Sequence, residues 1–215
     1  MSWQVDHLVV GAATLEQGAA WCAATLGVRP GPGGQHALMG THNLLLAIGS
    51  GGFPRSYLEI IAVDPQAPPP ARRRWFDLDD PALRAVLAAG PRLIHWVARC
   101  DDVAGECAAL AAAGVERGEV LAAERDTPRG LLRWRIAVRS DGARLFDGSL
   151  PTLIEWGDTH PAEALAASPL RLESLSVGAL PEAARQRLPT GVATGAGLAA
   201  TLSTPLGRVR LEAGA

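Results

Sequence analysis

Four side chains that could bind one metal ion stand at matched places in two stretches of the sequence. Each stretch opens with an apolar strand that holds one histidine and closes with an apolar strand that holds one glutamate; these residues are His7, Glu59, His95 and Glu155. His7 precedes Glu59 by 52 residues, and His95 precedes Glu155 by 60. An ionised carboxylate among apolar neighbours costs several kcal/mol unless a cation or hydrogen-bond donors compensate it. We therefore expect the four side chains to share one site.

Two imidazoles and two carboxylates suit a divalent metal ion, namely Zn²⁺, Ni²⁺, Co²⁺, Mn²⁺ or Fe²⁺, with coordination positions left for water or substrate. In such a site Glu59 and Glu155 are also the candidate catalytic residues, since a carboxylate beside the metal can act as the base that moves a proton. The alternative for each residue taken alone is a buried histidine with an ordinary hydrogen-bond partner, or a glutamate in a salt bridge.

Four further residues are candidates for contact with a substrate. Arg133 and Arg135 share one face of a predicted strand, from which a guanidinium could hold a carboxylate in bidentate fashion, although solvent exposure is the ordinary state of arginine. Trp134 lies between them on the opposite face. His42 begins another strand, where it could contact a ligand or fix the preceding loop. Residues 124–130 are predicted to form a mobile loop that could cover a pocket.

The periodicity of the strands decides which of these side chains can meet. Alternate side chains of a strand share a face, so Val5, His7 and Val9 are expected to point one way, and Tyr57 and Glu59 likewise share a face of their own strand. If the first and last strands of each stretch lie side by side, one histidine and one glutamate meet on a concave surface. Two such surfaces facing each other would bring all four ligands together.

An internal repeat organises the chain around these strands. In both stretches the histidine strand is followed by a helix that ends at a Gly-Val turn, with the glycine 20 residues after the first histidine and 19 after the second. Thr14 and Gln17 have the spacing of a capping box, and Gly27 suits a helix end, so residues 15–26 are predicted to be helical. Strand candidates follow each helix, which gives each unit the order β-α-β-β-β.

The sequence therefore predicts an α+β protein in which paired βαβββ modules form a curved mixed sheet. The first module is assigned to residues 1–66, a linker with a short helix to 67–91, and the second module to 92–160. Residues 168–213 resemble a partial third module that packs on the same fold, with Ser174 in the place of the histidine. This third region is expected to contribute no metal ligand.

Composition and charge exclude several classes of function. Hydrophobic residues make up 48% of the chain, but no apolar run approaches the ~20 residues that span a bilayer, so no membrane partner is expected. The formal net charge of -2 gives no electrostatic drive toward a nucleic-acid backbone. The chain has no lysine, which excludes Schiff-base chemistry on that residue. A strand-like segment follows the N-terminus directly, so a cytoplasmic location is expected.

With these motifs in place, the sequence resembles the vicinal oxygen chelate superfamily, in particular its bacterial glyoxalase-like branch, over about residues 3–160. The resemblance rests on residues 5–10 (VDHLVV), 40–43 (GTHN), 57–65 (YLEIIAVDP), 131–137 (LLRWRIA) and 150–157 (LPTLIEWG). In glyoxalase I enzymes the metal takes a histidine or glutamine and a glutamate from each of two modules, which implies His7, Glu59, His95 and Glu155 here. Extradiol dioxygenases use two histidines and one glutamate, which implies His7, His95 and Glu155.

Three functions are compatible with these features. The first is a metal-dependent lyase or isomerase that acts on a small molecule with two neighbouring oxygens. The second is an Fe(II) extradiol-type dioxygenase, for which Glu59 would be a surplus ligand. The third is a non-catalytic protein that binds a hydrophobic or aromatic small molecule between Trp96, Trp134 and Trp156. A small-molecule partner is common to all three, and the modules could pair within one chain or across a homodimer.

Overall fold

An eight-stranded mixed sheet forms the centre of the computed structural model, which describes residues 3–127 and 130–213. Its strands are β1 (Gln4–Gly11), β2 (Gly31–His36), β3 (Thr41–Ala47), β4 (Tyr57–Val63), β5 (Arg92–Arg99), β6 (Glu119–Thr127), β7 (Gly130–Val138) and β8 (Thr152–Trp156). The order across the sheet is β2-β3-β4-β1-β5-β8-β7-β6, and the sheet curls into a half-barrel. The fold is α+β, as the sequence predicts.

Two βαβββ units make up this sheet and are joined by the pairing of their first strands. The helices of the chain are α1 (Leu15–Trp21), α2 (Pro81–Ala89), α3 (Val103–Ala112) and α4 (Glu182–Arg185). In the first unit α1 follows β1, and β1 pairs parallel with β4; in the second α3 follows β5, and β5 pairs parallel with β8. β1 and β5 run antiparallel side by side. The two units therefore pair within one chain, with α2 in the connection between them.

The helix boundaries follow the capping signals of the sequence. Thr14 Oγ1 accepts a hydrogen bond from the backbone N–H of Gln17 at 3.1 Å, and α1 continues as a π-helical turn over Cys22–Leu26. Gly27 ends this helix with a φ of 69°, in the left-handed region that favours glycine. The side chain of Asp102 accepts a backbone N–H at the start of α3. No helix in the described part of the chain is long and apolar enough to cross a membrane.

A β-bulge in β1 corrects one expectation about its faces. Val5 pairs with Ala98 and His7 with Val97, which leaves Asp6 as the extra residue. Because a bulge inserts one residue, the alternation of side chains shifts there. Val5 lies in the core beneath the helices, whereas His7 faces the other side of the sheet. The prediction that Val5 and His7 share a face is therefore wrong.

The two faces of the curled sheet have different neighbours. The convex face packs against α1 and α3 and holds the larger apolar cluster, which includes Leu8 and the fully buried Trp96. The concave face carries His7 and is covered by Trp75 and Phe76 from the connection between the units. Functional groups on the concave face are thus separated from the convex core by the sheet itself.

Residues 171–212 form a second sheet of four strands. Its strands β9 (Arg171–Val177), β10 (Val192–Thr194), β11 (Ala199–Thr204) and β12 (Gly207–Glu212) stand in the order β10-β9-β11-β12. Leu172 and Leu202 belong to the same apolar cluster as the convex face, and the N–H of Leu172 donates to the carbonyl oxygen of Ile48 at 2.8 Å. Ser174 is exposed. This region covers the convex side of the large sheet.

Most of the mobile loop predicted over residues 124–130 lies in the strands β6 and β7 instead. β6 and β7 pair antiparallel, with Arg125 opposite Leu132, so residues 124–127 belong to a strand. Pro128 and Arg129 lie outside the described residues. The prediction for 124–127 is wrong because an exposed edge strand carries charged residues, which in a sequence look like a loop.

Candidate functional site

His7 and Glu59 form a close pair on the concave face. They stand on the adjacent parallel strands β1 and β4, where the register pairs Val9 with Glu59 and sets Glu59 diagonal to His7. His7 Nε2 lies 3.6 Å from Glu59 Oε2, and the two side chains are only 7% and 6% exposed. The histidine and the glutamate of the first unit therefore meet in a buried place.

A buried carboxylate orients the ring of His7. Asp6 Oδ1 lies 2.7 Å from Nδ1 of His7, and Asp6 Oδ2 lies 2.9 Å from both Nε1 of Trp156 and Nε2 of His160. Burial raises the pKa of Asp6, but the hydrogen bonds from His160 and His7 outweigh it and hold that pKa well below its ordinary value. Because Asp6 is ionised, Nδ1 of His7 donates to it, and Nε2 is left to face Glu59.

Glu59 is held from its other side by residues of β2 and β3. Asn43 Nδ2 donates to Glu59 Oε1 at 2.6 Å, and Nε2 of His36 lies 3.9 Å from the same oxygen. His36 Nδ1 lies 3.0 Å from Thr41 Oγ1. Burial lowers the pKa of His36 to about 4, although the Glu59 carboxylate acts in the opposite direction. His36 is therefore a neutral neighbour of Glu59 near pH 7.

These polar groups line a small cavity whose walls are mostly aromatic. Its volume is about 40 Å³. The aromatic walls are formed by Tyr57, Trp75, Phe76, Trp134 and Trp156. Tyr57 stacks on the ring of His7 with the ring centroids 4.6 Å apart. Apolar walls exclude water and strengthen the electrostatic interaction between the charged groups inside.

The second unit places a threonine where the first unit has its glutamate. Val9, two residues after His7 on β1, pairs with Glu59 of β4. Val97, two residues after His95 on β5, pairs with Thr152 of β8. His95 and Thr152 are therefore the counterpart in the second unit of His7 and Glu59. The carboxylate expected beside His95 is replaced by a hydroxyl group.

His95 lies on the concave face, but both of its ring nitrogens are engaged. Nδ1 lies 3.1 Å from the carbonyl oxygen of Gly148, and Nε2 accepts from the backbone N–H of Thr152 at 3.1 Å. Burial lowers the pKa of His95 well below its ordinary value, and the charges of Arg144 and Arg117 lower it further. His95 is thus a neutral histidine whose lone pair already accepts a hydrogen bond.

Glu155 lies on the side of the sheet opposite to the cavity. Its neighbours Ile154 and Trp156 line the cavity, so the alternation of β8 turns Glu155 to the convex side. There Glu155 accepts from the N–H of Val103 at the start of α3 at 3.0 Å and pairs with Arg135 at 3.1 Å. This placement corrects the expectation that Glu155 joins the ligand set or acts as a base in the cavity.

The predicted four-ligand metal centre is not assembled by these residues. His7 Nε2 and Glu59 Oε2 face each other like two ligands of one ion, whereas His95 is engaged elsewhere and Glu155 is on the other face. The ligand set implied for an Fe(II) dioxygenase is divided in the same way. Among residues 3–127 and 130–213, no group of three or more His, Cys, Asp or Glu side chains is arranged to hold a metal ion. The residues present therefore fit a metal only through one pair.

Of the four predicted substrate-binding residues, Trp134 lines the cavity and the other three point away from it. Arg133 and Arg135 do share a face, but it is the outer one: Arg133 is in an exposed ion pair, and Arg135 pairs with Glu155. His42 alternates with Asn43, which lines the cavity, and so lies on the convex side. These three assignments are corrected, since side chains one residue apart on a strand face opposite ways.

The predicted binding site between three tryptophans does not form either. Trp134 and Trp156 pack with their ring centroids 5.7 Å apart at the cavity. Trp96 lies in the convex core, where its Nε1 donates to the carbonyl oxygen of Ser149. The sheet therefore separates Trp96 from the other two.

Four residues beside the His7 and Glu59 pair were not found by sequence reasoning, namely Asp6, His36, Asn43 and His160. Alternation along β3 could have placed Asn43 on the same face as its neighbours in the cavity. Asp6 is adjacent to His7 in sequence, but only the bulge turns both side chains toward each other. The glycine-rich segment that carries His36 has no strand signal, and His160 follows β8 in a turn-like segment.

Comparisons with known proteins agree with this architecture. A family model described as a glyoxalase-like domain matches residues 5–192. No curated protein matches the sequence. Among solved structures, a hypothetical protein from Staphylococcus aureus matches with a TM-score of 0.55 and 16% identity, covering 82% of this chain and 70% of that chain.

Structures of methylmalonyl-CoA epimerases also match. A variant of the Streptomyces coelicolor methylmalonyl-CoA epimerase, in complex with 2-nitronate-propionyl-CoA, has a TM-score of 0.45 and 19% identity, covering 74% of this chain and 99% of that chain. The Mycobacterium tuberculosis methylmalonyl-CoA epimerase has a TM-score of 0.41 and 16% identity, covering 75% of this chain and 92% of that chain.

Proposed function

The chain belongs to the glyoxalase-like domain family of the vicinal oxygen chelate superfamily, and on this basis we propose that it is an isomerase or lyase for a small oxygenated substrate. The observation that carries the proposal is the pair formed by His7 Nε2 and Glu59 Oε2, 3.6 Å apart in an aromatic cavity. An acid and a base this close can move a proton between neighbouring atoms of one bound molecule.

Each member of the pair has a distinct task in this reaction. Glu59 removes a proton from a carbon beside a carbonyl group, and the protonated ring of His7 donates its Nε2 proton to the carbonyl oxygen. In isomerisation, Glu59 then returns its proton to the former carbonyl carbon while a hydroxyl group on the first carbon loses its proton to His7. In a lyase reaction, the enol oxygen instead returns its proton to His7 while the bond from the next carbon to a leaving group breaks, and that group departs with the electron pair. Asp6 stabilises the protonated ring of His7 by accepting its Nδ1 proton in a hydrogen bond of 2.7 Å.

A divalent metal ion on His7 and Glu59 is the second candidate. Members of the superfamily commonly bind such an ion, and Asp6 orients His7 in the way that carboxylates orient metal-binding histidines. When bound, the ion would polarise a substrate oxygen as a Lewis acid. Because the described residues offer a metal ion one pair of ligands, the proton transfer above is assigned to the side chains themselves.

Exchange of carbon-bound hydrogen with solvent deuterium tests the proposal. The protein is incubated in D₂O with hydroxyacetone or pyruvate, with and without a chelator, and exchange is followed by proton NMR. Glu59→Gln is expected to slow the catalysed exchange by about 100-fold or more, because an amide cannot accept the proton. Exchange that stops when the chelator is added would favour the metal candidate.

Glu155→Gln is the matched control for this experiment. The same change of carboxylate to amide is made on the same sheet, but on the face opposite to the cavity. Wild-type exchange rates are expected for Glu155→Gln. If Glu59→Gln exchanges hydrogen as fast as the wild type, Glu59 is not the base and the proposal is overturned.

A further inference from the structure

A cation on the wall of the cavity indicates which kind of substrate it takes. Arg125 stands on the edge strand β6, opposite Leu132 of β7, and both side chains line the cavity together with Trp134. We propose that Arg125 binds a carboxylate group of the substrate, so that the substrate is a small carboxylic acid. This inference rests on the proposed function, because it assigns the substrate class of the same cavity.

Arg125 reaches from one edge of the curled sheet to the other. β6 and β2 are the two edge strands of the eight-stranded sheet. A Cβ atom placed on Gly34 of β2 would overlap Nη1 of Arg125. The guanidinium therefore rests against the bare backbone of Gly34, where a larger residue would displace it. This contact brings the two edges together over the cavity that holds His7 and Glu59.

The guanidinium of Arg125 has unused hydrogen-bonding capacity. Nη1 is buried and has no hydrogen-bond partner within residues 3–127 and 130–213. By contrast, the nearby Arg133 and Arg135 each pair with a carboxylate at 3.1 Å on the outer face. A buried donor without a partner costs free energy, which an incoming acceptor recovers. A ligand oxygen is the acceptor that the arrangement lacks.

The charges around the cavity favour an anion beside Arg125. Arg125 is the one arginine among the described residues that line it. The Glu59 carboxylate is already bound by Asn43 and faces His7. The planar guanidinium matches a carboxylate in bidentate geometry. A cavity volume of about 40 Å³ favours a small carboxylic acid over a nucleotide.

Lactate and lactamide are matched probes for this inference, since they differ in the carboxylate alone. Binding to the full chain is followed by tryptophan fluorescence, because Trp75, Trp134 and Trp156 line the cavity. Arg125→Met is expected to weaken lactate binding by about 10-fold or more and to leave lactamide binding unchanged. Arg133→Met, on the outer face of the neighbouring strand, is the control and is expected to bind lactate like the wild type.

Two further variants keep the test independent of folding and of the proposed chemistry. Arg125→Lys keeps the positive charge but loses the planar guanidinium that binds a carboxylate in bidentate fashion, so an intermediate lactate affinity is expected. Glu59→Gln removes a negative charge from the cavity and is expected to bind lactate at least as tightly as the wild type while losing deuterium exchange. If lactate binding depends on Arg125 but the wild type catalyses no exchange, the proposed function is overturned and the role of Arg125 is supported.

The inference itself is overturned by any of three results. The first is lactate binding to Arg125→Met as tight as to the wild type, the second is lactate binding to the wild type no tighter than lactamide binding, and the third is a wild type that lactate does not saturate. Tighter binding of inorganic phosphate than of lactate would also overturn it, because the ligand would then be a phosphate rather than a carboxylate. In each of these cases, exchange on uncharged hydroxyacetone would still report on Glu59 alone.

Discussion

Thr152 Oγ1 lies 3.1 Å from Nε2 of His95, in the place beside the histidine that Glu59 occupies in the first unit. One unit thus carries a histidine and a carboxylate, and the other a histidine and a hydroxyl group. A threonine hydroxyl stays neutral and is neither a base nor a strong metal ligand near pH 7. The proposed chemistry is therefore assigned to the first unit, because both ring nitrogens of His95 are engaged within the protein.

This asymmetry predicts which histidine matters for metal binding. In a Zn²⁺ or Co²⁺ titration by calorimetry, His7→Ala is expected to lower the affinity by about 10-fold or more, because it removes the Nε2 atom that faces Glu59. His95→Ala is expected to leave the affinity unchanged, since both ring nitrogens of His95 are engaged within the protein. Equal losses in the two variants would show that His95 is a ligand after all.

Burial of His95 predicts that the fold is sensitive to acid. Burial and the charge of Arg144 hold the pKa of His95 well below the 6.5 expected of an unfolded chain. As the pH falls below 6.5, the histidine of the unfolded chain binds a proton that the folded chain does not bind, so the free energy of unfolding decreases. Relative to His95→Asn, the wild type is expected to lose about 1.4 kcal/mol per pH unit below about pH 6. Urea denaturation across this range measures the difference, and a difference that does not change with pH would contradict the prediction.

The contacts of Asp6 predict a high cost for removing its charge. In Asp6→Asn an acceptor oxygen becomes an amide donor that opposes the donors of His7, His160 or Trp156. The free energy of unfolding is expected to fall by about 1–3 kcal/mol, and deuterium exchange is expected to slow because the ring of His7 loses its orientation. Asp101→Asn, at an exposed position, is the control. Wild-type stability and exchange in Asp6→Asn would rule out the orienting role.

The repeat is sufficient to predict two βαβββ units, because helix caps and apolar strands are local features. The faces of the strands are not predictable to the same degree. An error of one residue moves a side chain across the sheet, and the bulge at Asp6 produces such a shift for Val5. In β8 the sequence favours Glu155 as the ligand because it is the carboxylate of the strand. Thr152 is not predictable, because its register with β5 is known only from the structure.

The part of the site that lies on the edge strands is not predictable from the sequence. β2 has the sequence GPGGQH, in which no alternation of apolar residues indicates a strand, yet it ends with His36 and places Gly34 against Arg125. β6 has charged residues on its exposed face and so resembles a loop in sequence. Curling of the sheet brings these two edges together, and this is a long-range effect of packing that neither segment encodes by itself.

The second sheet is predicted to stabilise the chain without taking part in the chemistry. Leu175 of β9 is fully buried and lies in the same apolar cluster as Trp96. Leu175→Ala is expected to lower the free energy of unfolding by about 2–5 kcal/mol, while exchange per folded molecule stays unchanged. Ser174→Ala, at the exposed neighbouring position, is expected to unfold like the wild type. Slower exchange in folded Leu175→Ala would show that the two faces of the large sheet are coupled.

Truncation after Pro169 extends the same argument to the whole region. It removes all four strands of the second sheet and uncovers the apolar residues of the convex face, which would then be exposed to water and to other chains. Solubility and thermal stability are therefore expected to fall first, and any fraction that stays folded is expected to retain exchange, because His7 and Glu59 face the other side. Size-exclusion chromatography, thermal unfolding and the deuterium assay measure the three properties on one sample. A short chain as stable and monomeric as the full one would show that the second sheet is not structural, and a folded short chain without exchange would show that the site depends on it.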